Sequence, residues 1–270
     1  IVFGDWSSDV CSSDLQAFKV ASALFGAGQM MFSKYIMVCD ADENLKNYAD
    51  VFSHALSRLN FKTDLIFFQG PLDVLDHSSN KALMGSKVCF DLTRKLNGED
   101  DTDFSVPEFK PMGLKEKLNL EQYSFVQDVN YSLIERNIPC IIMSVEKSGE
   151  KEWMKILETH LWSGIKMVLV LDKETDVFNL FQVSWFALSN TDPERDFIFT
   201  GERDKNTLLL DATRKAGDVG FDRPWPAVVS MDKKTMEEVD TMWDERVFGP
   251  FLSSPSLALQ NMNTGTYIWE

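Results

Sequence analysis

The chain repeats itself, and a repeat of this length commits both halves to one local architecture. Lys34–Asp40 (KYIMVCD) and Lys166–Asp172 (KMVLVLD) stand 132 positions apart, and that register holds without a gap over positions 34–67. Eleven of those 34 positions are identical, among them Lys34/Lys166, Val38/Val170, Asp40/Asp172, Asn47/Asn179, Asp64/Asp196 and Phe67/Phe199. Asp91-Leu-Thr-Arg-Lys95 then matches Asp211-Ala-Thr-Arg-Lys215 at an offset of 120, so the second copy has twelve fewer residues in the intervening loop.

Each copy has the periodicity of an α/β unit. Lys34–Asp40 is a short apolar run ending in polar residues, the pattern of a buried strand. Asn47–Leu59 carries Tyr48, Val51, Phe52, Ala55, Leu56 and Leu59 at the spacing of one helix face. Asp64–Phe68 and Lys87–Phe90 read as further strands. Upstream, Gln16–Met31 pairs with Ser148–Ser163, both helical, and the second copy opens with the strand Ile138–Val145. A β-α-β opening implies a parallel pair with a right-handed crossover. The expected fold is α/β: two tandem copies of a β-α-β-α-β-β unit with mixed sheets, the first copy lacking its first strand.

Gly4–Leu15 stands where that strand belongs, and it is rich in serine and aspartate with no apolar period. Back-translated, Asp5–Leu15 resembles a common sequencing-library adapter read in frame. Residues 1–15 are therefore expected to be non-native, and Trp6 and Cys11 to carry no functional information. The expected division is 16–100 for the first repeat, 101–137 for a linker with a helix at Glu121–Arg136, 138–220 for the second repeat, and 221–270 for a tail. That tail should hold one helix at Lys233–Trp243 and a loose end from Gly249.

Composition limits the partners. A net charge of −15 argues against nucleic acid, whose phosphates need a basic stripe, and against anionic lipid. Apolar runs such as Ile138–Val145 are too short to span a bilayer, and no basic segment leads into an apolar one at the start. Cys11, Cys39, Cys89 and Cys140 are scattered without metal-ligand spacing, which fits reduced thiols in a cytoplasmic protein.

Chemistry-bearing residues are few. Asp40-Ala-Asp42 at a strand end could hold a divalent cation, as in the D-x-D of nucleotide-sugar glycosyltransferases, or could form a turn and cap the next helix. The second copy reads Asp172-Lys173-Glu174, so what both keep is one aspartate, a structural requirement. His54, His77 and His160 form no visible triad, and Gly26-Ala-Gly28 reads as close helix packing or a helix end. Lys19 and Lys151, early in equivalent helices, are either phosphate contacts or exposed surface lysines.

The ordered set Gln16-Ala-Phe-Lys-Val20, Phe32–Asp42, Phe52-Ser-His-Ala-Leu-Ser-Arg58 and Gly85-Ser-Lys-Val-Cys-Phe-Asp-Leu-Thr-Arg-Lys95 resembles the C-terminal domain of UbiD-family decarboxylases. Arg223-Pro-Trp-Pro226 resembles a segment of the long variants of menaquinone biosynthesis. The resemblance implies reversible, non-oxidative decarboxylation of an aromatic or α,β-unsaturated acid with prenylated FMN, a divalent metal and potassium. It implies that the catalytic residues and metal ligands belong to an N-terminal domain outside this chain, so that no catalytic or metal residue is expected here. It implies that Lys19 meets the cofactor phosphate, and that Ala23, Phe25, Leu65 and Phe67 line the far wall of the substrate pocket. It further implies homo-oligomerisation through this domain. A non-catalytic assembly module and a D-x-D glycosyltransferase are the competing readings.

Overall fold

The structure, a computed structural model, describes residues 16–94, 109–147, 152–160, 162, 164–200, 207–215 and 221–263. The chain divides into two compact units, 1–223 and 224–270. The adapter-like stretch, Lys95, residues 101–108 of the expected linker and Lys151 lie outside the described residues.

The first unit opens with α1 (Gln16–Gly26), a 3-10 turn (Gly28–Phe32), β1 (Tyr35–Val38), α2 (Tyr48–Arg58), β2 (Leu65–Pro71) and β3 (Met84–Asp91). These strands form a sheet of order β1-β3-β2, with β1 parallel and β2 antiparallel to β3. Then follow α3 (Leu114–Leu118), a 3-10 turn (Leu120–Gln122), β4 (Val126–Asn130), α4 (Ser132–Glu135), β5 (Cys140–Val145), α5 (Glu152–Thr159), β6 (Met167–Asp172), α6 (Leu180–Ser189), α7 (Pro193–Asp196), β7 (Phe197–Thr200) and β8 (Thr207–Asp211). They build a five-stranded sheet of order β4-β5-β6-β8-β7. The fold is mixed α/β with two mixed sheets, the class expected. Strands β6, β8 and β7 have the order and directions of β1, β3 and β2.

Local chemistry explains why matched sequences give matched elements. Asn47 caps α2 by accepting the Asp50 N–H at 3.4 Å, and Asn179 caps α6 by accepting the Gln182 N–H at 3.2 Å. Each cap satisfies a helix-end donor that would otherwise lack a partner. Asp64 accepts the Asn60 N–H at 2.8 Å and Asp196 accepts the Asp192 N–H at 2.7 Å, closing the turn ahead of β2 and ahead of β7. Gly26 ends α1, and Gly28, at φ +53°, takes the left-handed conformation that starts the 3-10 turn.

The expected helix over Glu121–Arg136 is corrected by the structure. Those residues form the end of a 3-10 turn, β4 and the one-turn α4. The spacing of Val126, Val129 and Ile134 suits a helix face, but β4 gains an antiparallel ladder with β5, and sheet pairing overrides so weak a local preference. Asn130 then ends the strand, donating to the Val177 carbonyl at 2.8 Å and accepting the Ser132 N–H at 2.9 Å.

Two apolar clusters lie on corresponding sides of the sheets. Ala21 and Phe25 of α1 pack on Ile36, Val38, Ile66 and Cys89. Trp153 and Leu157 of α5 pack on Val168, Val170, Ile198 and Leu209, the same positions shifted by one repeat, and this cluster adds Ile141, Met143 and Val145 of β5. Because side chains alternate along a strand, the first sheet's other face carries Tyr35, Leu65, Phe67 and Phe90. That face meets β7, with the Phe197 ring 6.3 Å from Tyr35, 6.1 Å from Phe67 and 6.1 Å from Phe90.

The second unit contains α8 (Lys233–Met242), the helix expected there, together with a short α9 (Glu245–Phe248) and a 3-10 stretch (Pro255–Asn263). The Trp243 ring lies tilted to Phe248 at 5.5 Å and edge-on to Phe251 at 5.7 Å, and its N–H donates to the Gly249 carbonyl at 3.0 Å.

Candidate functional site

The repeated D-x-T-R motif does the same work in both sheets. Asp91 accepts from the N–H and hydroxyl of Thr93 at 3.0 and 2.6 Å, and Asp211 accepts from Thr213 at 3.1 and 2.6 Å. This turn aims the following arginine at the neighbouring strand end. Arg94 reaches Asp40 at 3.1 Å and also binds Asp42. Arg214 reaches Asp172 at 3.1 Å and Glu174 at 2.9 Å. The Arg94 guanidinium holds the Asp42 carboxyl below the usual carboxylate range. Both carboxylates of the D-x-D are thus bound by an internal cation, which supports the structural reading of Asp40 and Asp172. Among the described residues no group of three or more His, Cys, Asp or Glu side chains is placed to hold a metal ion.

Each histidine is engaged by other residues: His54 with Glu43 at 3.1 Å, His77 with Asn190 at 3.3 Å and His160 with Tyr123 at 3.0 Å. Burial lowers the basicity of His77 and His160.

The residues implied by the family resemblance fall into three places. Lys19 and Ala23, one helical turn apart, share the exposed face of α1. Phe25 points the other way and is enclosed, its ring 5.0 Å from Phe68 on the sheet. Leu65 and Phe67 lie on the opposite face of β2 from Phe68, with Phe67 against Phe197. Helical and strand periods therefore pair Lys19 with Ala23 and Leu65 with Phe67, and place Phe25 with neither pair.

The loop between β2 and β3, the longer one in the first copy, is held from several directions. Asp76 binds Lys34 at 2.8 Å and accepts the Ser78 hydroxyl at 2.7 Å. Arg195 donates to the Ser78 carbonyl at 2.7 Å, and Arg223 donates to the Ser79 carbonyl at 2.8 Å. Ser86 donates its hydroxyl to Asp192 and accepts the Glu194 N–H at 2.8 Å. Gly85 permits this packing, since a Cβ there would stand 2.6 Å from Leu72 and 2.7 Å from Ser79.

Two buried lysines escape a reading by pattern. Lys87, 1% exposed on the α1 side of β3, donates to the Met31 carbonyl and lies 5.3 Å from the Phe25 ring. Burial pushes its ammonium down to about 8, with Asp76 opposing that shift. Lys215, also 1% exposed, donates to the Asp211 and Thr213 carbonyls at 2.8 and 2.6 Å, with Asp211 and Asp196 carboxylates 3.3 and 3.5 Å away. The only available signal was that each lysine sits in or beside a strand, where a charged side chain is expensive without partners.

The chain belongs to the family of the 3-octaprenyl-4-hydroxybenzoate carboxy-lyase C-terminal domain, whose model matches residues 7–92 and 114–222. More particularly, an uncharacterized protein of Helicobacter pylori is 28% identical over 229 residues, covering 83% of this chain and 35% of that protein. An uncharacterized protein of Archaeoglobus fulgidus is 32% identical over 121 residues, covering 38% of this chain and 25% of that protein. The chain thus spans 25–35% of the length of these relatives.

Among solved structures, the vanillic acid decarboxylase of Sedimentibacter hydroxybenzoicus in open form shares 19% identity at a TM-score of 0.35, over 62% of this chain and 39% of that one. An evolved dimeric form of the UbiD-class enzyme HmfF from Pelotomaculum thermopropionicum, in complex with prFMN, shares 13% identity at a TM-score of 0.33, over 59% of this chain and 41% of that one. Likenesses this distant assign nothing to individual residues. No helix among the described residues is long and apolar enough to cross a membrane.

Proposed function

We propose that this chain is the pocket-completing and oligomerising C-terminal part of a carboxy-lyase of the menaquinone-biosynthesis type, acting on an aromatic quinone-precursor acid. The observation that carries the proposal is the family match across both α/β repeats. The whole enzyme works in the cytoplasm with prenylated FMN, a divalent metal and potassium, and the cofactor carries the bond-breaking chemistry. The scattered spacing of Cys39, Cys89 and Cys140 supports a reducing setting.

Within this reading Lys19 binds the cofactor phosphate, because an exposed ammonium near the start of a helix suits a dianion. Ala23, on the same face, lets the cofactor approach, while Leu65 and Phe67, on the sheet face away from α1, supply apolar wall to a separate surface. Phe25 acts from behind, holding α1 on the sheet. Metal and catalytic acids come from the chain's own N-terminal domain, so the isolated chain has no carboxy-lyase activity. Carbon dioxide release by the isolated chain supplied with prenylated FMN would refute that division of labour. In the full-length enzyme, Lys19→Met should weaken cofactor retention about tenfold, the worth of one charge-assisted hydrogen bond, with melting unchanged.

A second reading, an assembly module without catalysis, is favoured by the outer side of α6. Phe181 is 75% exposed and Leu188 is 52% exposed there. Concentration-dependent mass in light scattering that disappears in Phe181→Ser would support it.

A further inference from the structure

Helices α1 and α5 cover equivalent faces of the two sheets, but they are not held equally. The register between the copies sets Ala21 on Trp153 and Phe25 on Leu157. Helix α1 buries Ala17, Ala21 and Phe25, whereas α5 buries Trp153, Met154 and Leu157. Burial stabilises in proportion to the apolar area covered, so two alanines hold a helix less firmly than a tryptophan and a methionine.

The strand beneath adds a second difference. Val88 and Leu208 donate to the carbonyls of Lys34 and Lys166 at 3.0 and 2.8 Å, so Lys87 and Thr207, each one residue earlier, are equivalent. Thr207 donates its hydroxyl to the Ile165 carbonyl at 2.6 Å, a bond between neutral groups. Lys87 instead places an ammonium under α1, 1% exposed, with its stem passing over Gly70, where a Cβ would stand 3.3 Å from Cε. Among the described residues its one hydrogen-bond acceptor is the Met31 carbonyl, and the Phe25 ring lies 5.3 Å from Nζ. An ammonium has three N–H donors, and burying a charge so thinly partnered is costly.

The surroundings offer little compensation. Helix α1 and the 3-10 turn bring Phe25 and Met31, β1 brings Ile36 and Val38, and β2 brings Phe68 and Gly70, none of them titratable. Strand β3 itself brings the buried thiol of Cys89. The acid that acts on Lys87 is Asp76 of the β2–β3 loop, which is already bound to Lys34 at 2.8 Å.

We propose that α1 is a lid that lifts from the first sheet, biased toward opening by the Lys87 ammonium beneath it, whereas α5 stays shut. Opening returns the ammonium to water and gives up little apolar burial, and the elements of a fold that move are those held weakly. Charge and lid are linked. Closed, burial holds Lys87 at about 8; lifted, the group regains its ordinary value of 10.5. Opening therefore takes up a proton between those limits, so it is easiest below the lower one and grows harder as pH rises through the window. Lys19 and Ala23 ride on α1, but the inference rests on packing and does not depend on the cofactor reading.

Amide hydrogen exchange on the unmodified chain and on Lys87→Met tests this, since methionine keeps much of the stem and drops the charge. At about pH 7, exchange at Ala21 and Phe25 should slow at least about tenfold in the variant, with Met154 and Leu157 of α5 unchanged. In the unmodified chain, protection at Ala21 relative to Leu157 should grow as pH rises from about 7 to about 9, and in the variant it should stay level. Equal rates at Ala21 in the two proteins would overturn the proposal. So would equal slowing in α1 and α5, because the charge would then act on the whole fold. If the variant folds poorly, the pH series on the unmodified chain decides, and a constant ratio of α1 to α5 protection would sink the lid.

Discussion

Asp172 and Asp40 end equivalent strands but stand in different surroundings. Asp172 and Arg214 are each 10% exposed in their side chains, and Lys147 adds a second cation at 3.1 Å. Arg94 is 58% exposed in its side chain, so water screens its pairing with Asp40. Asp172→Asn should therefore cost about 3 kcal/mol in denaturant unfolding, the penalty for stranding buried cations. Asp40→Asn should cost about 0–1 kcal/mol. Lys87 gives a prediction of the opposite sense. Its folded value of about 8 lies below the ordinary lysine value of 10.5, so the unfolded chain binds the extra proton between those limits. Stability should climb across that window by an amount on the order of 1 kcal/mol, and Lys87→Met should flatten the climb in urea melts taken at successive pH values. The aspartates were legible in the sequence because both copies keep them. Lys87 was not, because nothing in its neighbours along the chain says that α1 will cover it.

Elements were legible to the extent that their own periodicity decided them. Helix α2 announces its apolar face and α6 follows from the repeat, and the strands of the two matched trios follow from short apolar runs. Strand β4 did not, because its fate depends on an edge of β5 that no local pattern reveals. The β2–β3 loop is a similar case: its length is visible as the twelve-residue difference between copies, while its restraint by Arg195 and Arg223 is not. Gly85→Ala tests that restraint. The added methyl would stand 2.6 Å from Leu72, so the loop must move outward, at about 1–3 kcal/mol. Limited proteolysis should then cut between Asp73 and Asn80 faster than in the parent, and unchanged cutting would mean that the loop relaxes in place.

For the whole molecule, the α/β class could be read from sequence, but not the way the two sheets share a face. Phe197 is the centre of that shared face, 8% exposed and ringed by Tyr35, Phe67 and Phe90. Phe197→Ala should cost about 3–5 kcal/mol and split thermal unfolding into two transitions, because it removes packing that couples the sheets. The Ser86–Asp192 bond links residues 106 positions apart. At about 5–20 residues per second, the ribosome needs roughly 5–20 s to deliver the aspartate after the serine. For that interval the nascent first sheet carries an unclamped loop and a bare aromatic face, so chaperone demand during synthesis should peak before the second repeat emerges.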